Sequence, residues 1–240
     1  LSLKVLPWPS SANGLATEYR LLNFGTGRVV RLSALMLPTR FWMPDLPLLI
    51  LGAGGHGGVV ASALLLTGRN VLGFLDADRT LWGTKKNGLP VIGDDACLQD
   101  FSPDSVRLVN GMGSTAVSQI RKRIFDDCKV RGFIFESVIH PSACVSPSAI
   151  LSEGTQVMAG AVIQDGAKIG CNVIINTGAI VDHDCVIGAH THVAPGATLS
   201  GGVTVGCTCH IGVGAVMIQS VALGDESLVG AGAVVIRSHS

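Results

Sequence analysis

Aromatic side chains make up only 5% of the 240 residues and charged ones only 14%, with 17 Lys and Arg set against 17 Asp and Glu. So little aromatic bulk is unlike a conventional globule, whose core leans on Phe, Tyr and Trp. The missing net charge removes the field that would draw the chain to nucleic acid or to an anionic membrane, and neither is expected as a partner. Seven cysteines, odd in number and without the close spacing of a disulfide framework, suit a reducing, cytoplasmic setting. Two stretches lack Asp, Glu, Lys and Arg altogether, residues 46–68 and 185–224. Neither reads as a membrane span. "GAGGHGG" sets five glycines and a histidine in the middle of the first, and the second is crowded with Gly, Ser, Thr, His and Pro. Something other than lipid must cover the second.

What is abundant is a repeat. From Val138 the chain divides, without one insertion, into seventeen hexads, VIHPSA at 138–143 through VVIRSH at 234–239. The second residue of each is Ile, Val, Leu or Met, from Ile139, Val145 and Leu151 to Met217, Leu223, Val229 and Val235, and the sixth is nearly always small. A period of six fits neither an amphipathic helix nor plain two-residue alternation. It fits a solenoid in which each hexad is a short strand plus a turn, with one aliphatic pointing inward per face. Three hexads close one triangular coil, so residues eighteen apart stack at the strand spacing of ~4.8 Å.

Upstream, "PLLILGAGGHGGVVASALLLTG" followed by "NVLGFLDAD" reads as strand, glycine turn, helix, strand and acidic loop. Gly52, Gly54 and Gly57 form a GxGxxG that follows a strand and opens a helix, with Gly55 and His56 inside it and Asp76 closing the next strand. Backbone amides at such a helix start can cradle a phosphate, and the acid can meet a sugar hydroxyl. A third strand, a second glycine turn at Gly111 and Gly113, and a second helix complete one mononucleotide-sized half of a doubly wound fold. The chain is thus expected to hold an extension over 1–45, disordered or preceding a native start at Met43, an α/β Rossmann-like half domain over 46–137, and the hexad domain over 138–240.

Three of the seven histidines, His183, His190 and His192, fall within "DHDCVIGAHTHVAPG". His183 and Gly201 are one coil apart, so a base and an oxyanion-stabilising N–H can stand on adjacent rungs around one carbonyl. His183 and His192 are half a coil apart and face different ways in one chain. They converge only across a subunit interface, which predicts a homotrimer packed along the uncharged stretch. His190 is read as a solvated or contact residue, and Cys185 and Cys209 as corner packing.

The unbroken hexads, "GAGGHG" and "DHDCVIG" together resemble the left-handed parallel β-helix acetyltransferases that act on sialic acid hydroxyls or on the amino group of nucleotide-linked amino sugars. The resemblance covers roughly residues 47–236. It implies acetyl-CoA as co-substrate, His183 as general base tuned by Asp184, His192 and the Gly201 N–H in the acetyl-CoA pocket, and Asn176 against the acceptor sugar. The nucleotide sugar would lie on Gly52, Gly54, Gly55, His56, Gly57, Asp76 and Gly113. Family members usually continue into a "GVPAK"-like tail that grips coenzyme A, whereas this chain ends "VVIRSHS", so weakened cofactor grip is an expectation. Rival readings are sugar or sialic acid O-acetylation, a non-catalytic homologue, a gamma-carbonic-anhydrase-like zinc enzyme and a nicotinamide oxidoreductase. The zinc reading lacks its histidine pair five residues apart, the oxidoreductase lacks the second half domain, and no metal is expected.

Overall fold

The computed structural model describes residues 46–114 and 119–239, together with the backbone of two strands nearer the start. Residues Leu1–Pro44 and Asp45–Ser240 are separate units. In the first, β1 (Tyr19–Leu22) pairs antiparallel with β2 (Val29–Leu32), a ladder that the sequence pattern does not announce. The expected extension over 1–45 otherwise lies outside the described residues.

The second unit begins as an α/β half domain. β3 (Leu48–Leu51), β4 (Val71–Leu75), β6 (Leu89–Gly93) and β7 (Arg107–Asn110) are parallel, and β5 (Lys85–Lys86) adds an antiparallel edge, in the order β5-β6-β4-β3-β7. All four residues of β3 are buried because both of its faces are covered, as parallel sheets require. Leu48 and Ile50 meet Val60, Ala61 and Leu64 of α1 (Gly55–Leu66); Leu49 and Leu51 meet Phe125 and Cys128 of α2 (Gln119–Val130). The β5–β6 hairpin goes beyond the three strands read from sequence. Its signal is "NG": Asn87 and Gly88 take φ of 53° and 80°, the left-handed pair that a two-residue hairpin turn needs.

The hexads fold as their period dictates. Seventeen two-residue strands, β8 (Val138–Ile139) to β24 (Val234–Val235), occupy the first and second positions of the seventeen hexads. They stack eighteen apart into parallel sheets of six, six and five strands, with His192 on His210 and Val193 on Ile211 as one example. This is a left-handed parallel β-helix. Second-position aliphatics such as Val157, Ile175, Val193 and Ile211 and sixth-position residues such as Ala179, Cys185 and Cys209 fill its core. First-position side chains point outward. On one face they run Val138, Gln156, Ile174, His192, His210 and Leu228. The first five are buried and Leu228 is exposed. Val138 and Met158 join the α1 core, so this face carries the half domain.

Candidate active site

His183 stands at a corner between two sheets, in a turn where Asp184 takes φ of 58°. Its main-chain N–H donates to Asp182 Oδ1 at 2.7 Å, and its Nδ1 lies 2.9 Å from Asp184 Oδ2. A carboxylate only accepts, so Nδ1 carries the proton and Nε2 presents its lone pair. The Asp184 hydrogen bond, followed by the nearby Asp182 charge, raises the His183 pKa above its ordinary value. One coil on, a Cβ built on Gly201 would fall on Nε2. Gly201 has no left-handed φ, so glycine is there to leave room for the imidazole rather than to make the turn. Its N–H makes no hydrogen bond among the described residues. His183 and Gly201 both line a cleft with Ser200, Gly202, Gln219 and Ser220, all from the β-helix.

The predicted sugar-binding residues gather at the carboxyl ends of β3 and β4. Gly54 caps α1 without a side-chain partner, and the first helical turn carries no acid. Two kinds of glycine are distinguishable there. A Cβ on Gly57 would strike the Gly52 carbonyl, and one on Gly113 would come within 3.2 Å of His56 Cβ, so these serve internal packing. Around Gly54 and Gly55 nothing lies within 4 Å of such a Cβ, and Gly54 has φ of −69°. That space is open at the helix start, where backbone amides can receive an anion. Asp76 also has partners within the chain: Oδ2 accepts the Ala53 N–H at 2.6 Å and Oδ1 the Asp78 N–H at 2.9 Å. It fastens the glycine turn to the loop after β4. Lys86, not singled out from sequence, donates from Nζ to the Ala53 and Gly54 carbonyls at 2.6 and 2.7 Å.

His192 is buried, and its environment dictates its tautomer. Nδ1 donates to the Ser114 carbonyl at 2.8 Å, and Nε2 accepts from Asn176 Nδ2 at 3.0 Å. Desolvation, then the neighbouring His210, lower its pKa to about 3, so the ring is neutral. His210 sits edge-on at 4.9 Å. The structure therefore brings Asn176 and His192 together beside the second glycine turn, and leaves His183 in a separate cleft. His190 is not solvated: its ring lies edge-on to Phe125, and Nδ1 is 3.0 Å from Asn172 Nδ2.

Residues 47–128 match the family model of the PglD N-terminal domain, and residues 166–201 match that of the bacterial transferase hexapeptide, six repeats. Among solved structures, the acetyltransferase domain of PglB from Neisseria gonorrhoeae FA1090 is 41% identical over 81% of this chain and 93% of that chain, with a TM-score of 0.75. Perosamine N-acetyltransferase from Caulobacter crescentus, solved in complex with CoA and GDP-perosamine, is 41% identical over 80% of this chain and 89% of that chain, with a TM-score of 0.74. The chain belongs to the PglD-type hexapeptide-repeat acetyltransferases. WeeI from Acinetobacter baumannii AYE is a more distant relative, at 26% identity over 80% of this chain and 92% of that chain, with a TM-score of 0.71.

In this acetyltransferase the two halves are joined by His56, expected from sequence to meet the nucleotide sugar, and by further polar residues that the sequence did not single out. His56 Nε2 donates to Gln156 Oε1 at 2.7 Å, and Gln156 Nε2 donates to the Asn110 carbonyl at 2.7 Å. Burial and then the Arg121 charge hold His56 at a pKa of about 4. The fully buried Arg121 reaches the carbonyls of Asn110, Met112 and Asn172 at 2.9, 2.7 and 3.3 Å, and burial lowers its pKa to about 9. Asn110 Nδ2 closes the loop onto Asn172 Oδ1 at 3.2 Å. Those that cross between the halves span 46 to 100 residues of sequence. The available signal was a lone Gln156 at a first hexad position, where the other members of its buried column are Val, Ile and His.

Among the described residues no helix is long and apolar enough to cross a membrane. Residues 46–68 are β3, the glycine turn and α1, and residues 185–224 are β-helix rungs, as their composition implies.

Proposed function

We propose that the chain transfers the acetyl group of acetyl-CoA directly to the amino group of a nucleotide-linked amino sugar. The observation that carries the reading is the His183 corner: an imidazole with its Nδ1 proton held by Asp184, its Nε2 free, and an unbonded Gly201 N–H one coil away. In this reading the acceptor ammonium has lost one proton before attack. Its nitrogen adds to the thioester carbonyl while Nε2 takes the second proton. The Gly201 N–H receives the developing oxyanion, and collapse expels the coenzyme A thiolate, which is protonated from the imidazolium. No covalent enzyme intermediate is needed. The 41%-identical relatives, one of them solved with CoA and GDP-perosamine, favour an amine acceptor over a hydroxyl.

Among the described residues of one chain the His183 cleft has no wall from the half domain, while Asn176 and His192 lie against that domain's second glycine turn. We read the complete site as intersubunit, with the half domain and Asn176–His192 of one subunit facing His183 of the next in a homotrimer. The defining experiment is thiol release from acetyl-CoA with a panel of nucleotide-linked amino sugars and their hydroxyl counterparts. Turnover confined to amino acceptors supports the reading; turnover only with hydroxyl acceptors, or none, overturns it.

A further inference from the structure

We propose that the base of the nucleotide-linked substrate stacks on the Arg79–Trp82 pair, so that the turn after β4 holds the nucleotide by its base. The inference rests on the nucleotide-sugar reading above. Trp82 is the only exposed aromatic side chain among the described residues, with 36% of its surface open to solvent; every Phe there is buried or half-buried. Its place is set by two hydrogen bonds. The indole N–H donates to the Asp76 carbonyl at 2.8 Å, and the Asp76 carboxylate accepts the Ala53 N–H at 2.6 Å inside the glycine turn. One residue therefore separates the ring from the turn that faces the phosphates, at the carboxyl end of β4, where open α/β sheets take their ligands.

Arg79 lies against the same ring, with Cζ 5.5 Å from its centroid, and makes no ion pair among the described residues. The Arg79 side chain makes no hydrogen bond that holds the turn, and Trp82 holds it by its N–H edge alone. Asp78 Oδ1 already caps it, accepting the Thr80 N–H at 2.9 Å and the Thr80 hydroxyl at 2.7 Å. An indole with its N–H satisfied and a guanidinium plane beside it form a flat, polarisable surface with in-plane donors to spare, which suits a nucleobase and its carbonyl edge. The phosphates carry no ring, and the sugars lack the flat π face that such a surface matches best.

The test uses the full chain in two measurements. First, indole emission is followed while UDP or GDP is added to the wild type and to Trp82→Phe. Trp8 and Trp42 emit in both, so the difference isolates Trp82. A nucleotide-dependent change present in the wild type and absent from Trp82→Phe is expected; equal responses, or none in either protein, overturn the proposal. Second, Trp82→Leu should raise the KM for the nucleotide sugar about tenfold, the usual loss for one base–aromatic stack, with kcat and the acetyl-CoA KM unchanged. Trp82→Phe, which keeps a ring, should recover most of that affinity. An unchanged KM in Trp82→Leu contradicts the stack. If the wild type acetylates no nucleotide-linked amino sugar, the functional reading fails, while the emission difference still decides the platform.

Discussion

In the proposed mechanism His183 serves as the base because of two neighbours. Asp184 occupies Nδ1 and raises the pKa, and Gly201 leaves the space over Nε2 empty. The neutral ring is the active form, so kcat/KM should climb with pH through a pKa above the ordinary imidazole value of about 6.5 and then level off. Asp184→Asn removes the largest cause of the raised pKa. We expect the acid limb of the profile to move to lower pH, with a lower plateau; a limb that stays in place would show that Asp184 does not govern the base. Gly201→Ala puts a methyl group on Nε2 without straining the backbone. Displacing the imidazole by about 1 Å should cost roughly 100-fold in kcat, while the thermal midpoint stays near that of the wild type. Near-normal turnover in that variant would place the reacting base elsewhere.

At the scale of elements, the glycine turn between β3 and α1 divides its glycines between packing and ligand. Gly57→Val drives a side chain into the Gly52 carbonyl and should destabilise the fold by roughly 1–3 kcal/mol, as overpacking does. Gly54→Val sets its Cβ where nothing lies within 4 Å. It should leave the denaturation midpoint unchanged and raise the nucleotide-sugar KM, with the acetyl-CoA KM unaffected. Parallel melts and steady-state kinetics on the two variants check the division, and identical behaviour would refute it. The turn and the hexads were legible because their signals are local: a fixed run of glycines, and one aliphatic every six residues. The β5–β6 hairpin was not read because its edge strand is two residues long and β6 contains Pro90, leaving only Asn87–Gly88 as punctuation. Asp76 was placed correctly at its strand end. Its bond to Ala53 depends on the approach of two loops and has no sequence signature.

For the whole molecule, one face of the β-helix is spent on the half domain, which leaves other outward rows exposed. Ile180, Val186, Val213 and Val216 are all more than a third exposed, and three of them lie in the stretch without charge. Scattered apolar residues are ordinary on a surface, but a band without charge on a solenoid suits contact with further copies. Sedimentation at micromolar concentration should give three times the chain mass of 24.7 kDa; a single-chain mass would rule out an intersubunit site. The joint between the halves was invisible in sequence for a physical reason. Gln156, Asn110, Arg121 and Asn172 are polar groups whose partners lie across the joint or in the loops beside it, and each alone resembles a surface residue. The half-coil offset of His183 and His192, by contrast, follows from counting residues, and the structure keeps the two apart as that count requires.

The central claim, acetyl transfer with His183 as the base, is tested most directly by the turnover of His183→Ala at saturating acetyl-CoA and nucleotide-linked amino sugar, alongside nucleotide-sugar binding measured by calorimetry. Loss of a general base predicts a fall in kcat of roughly two to four orders of magnitude, with binding unchanged because the nucleotide is held at the glycine turn. Near-wild-type turnover with both substrates saturating would contradict the account.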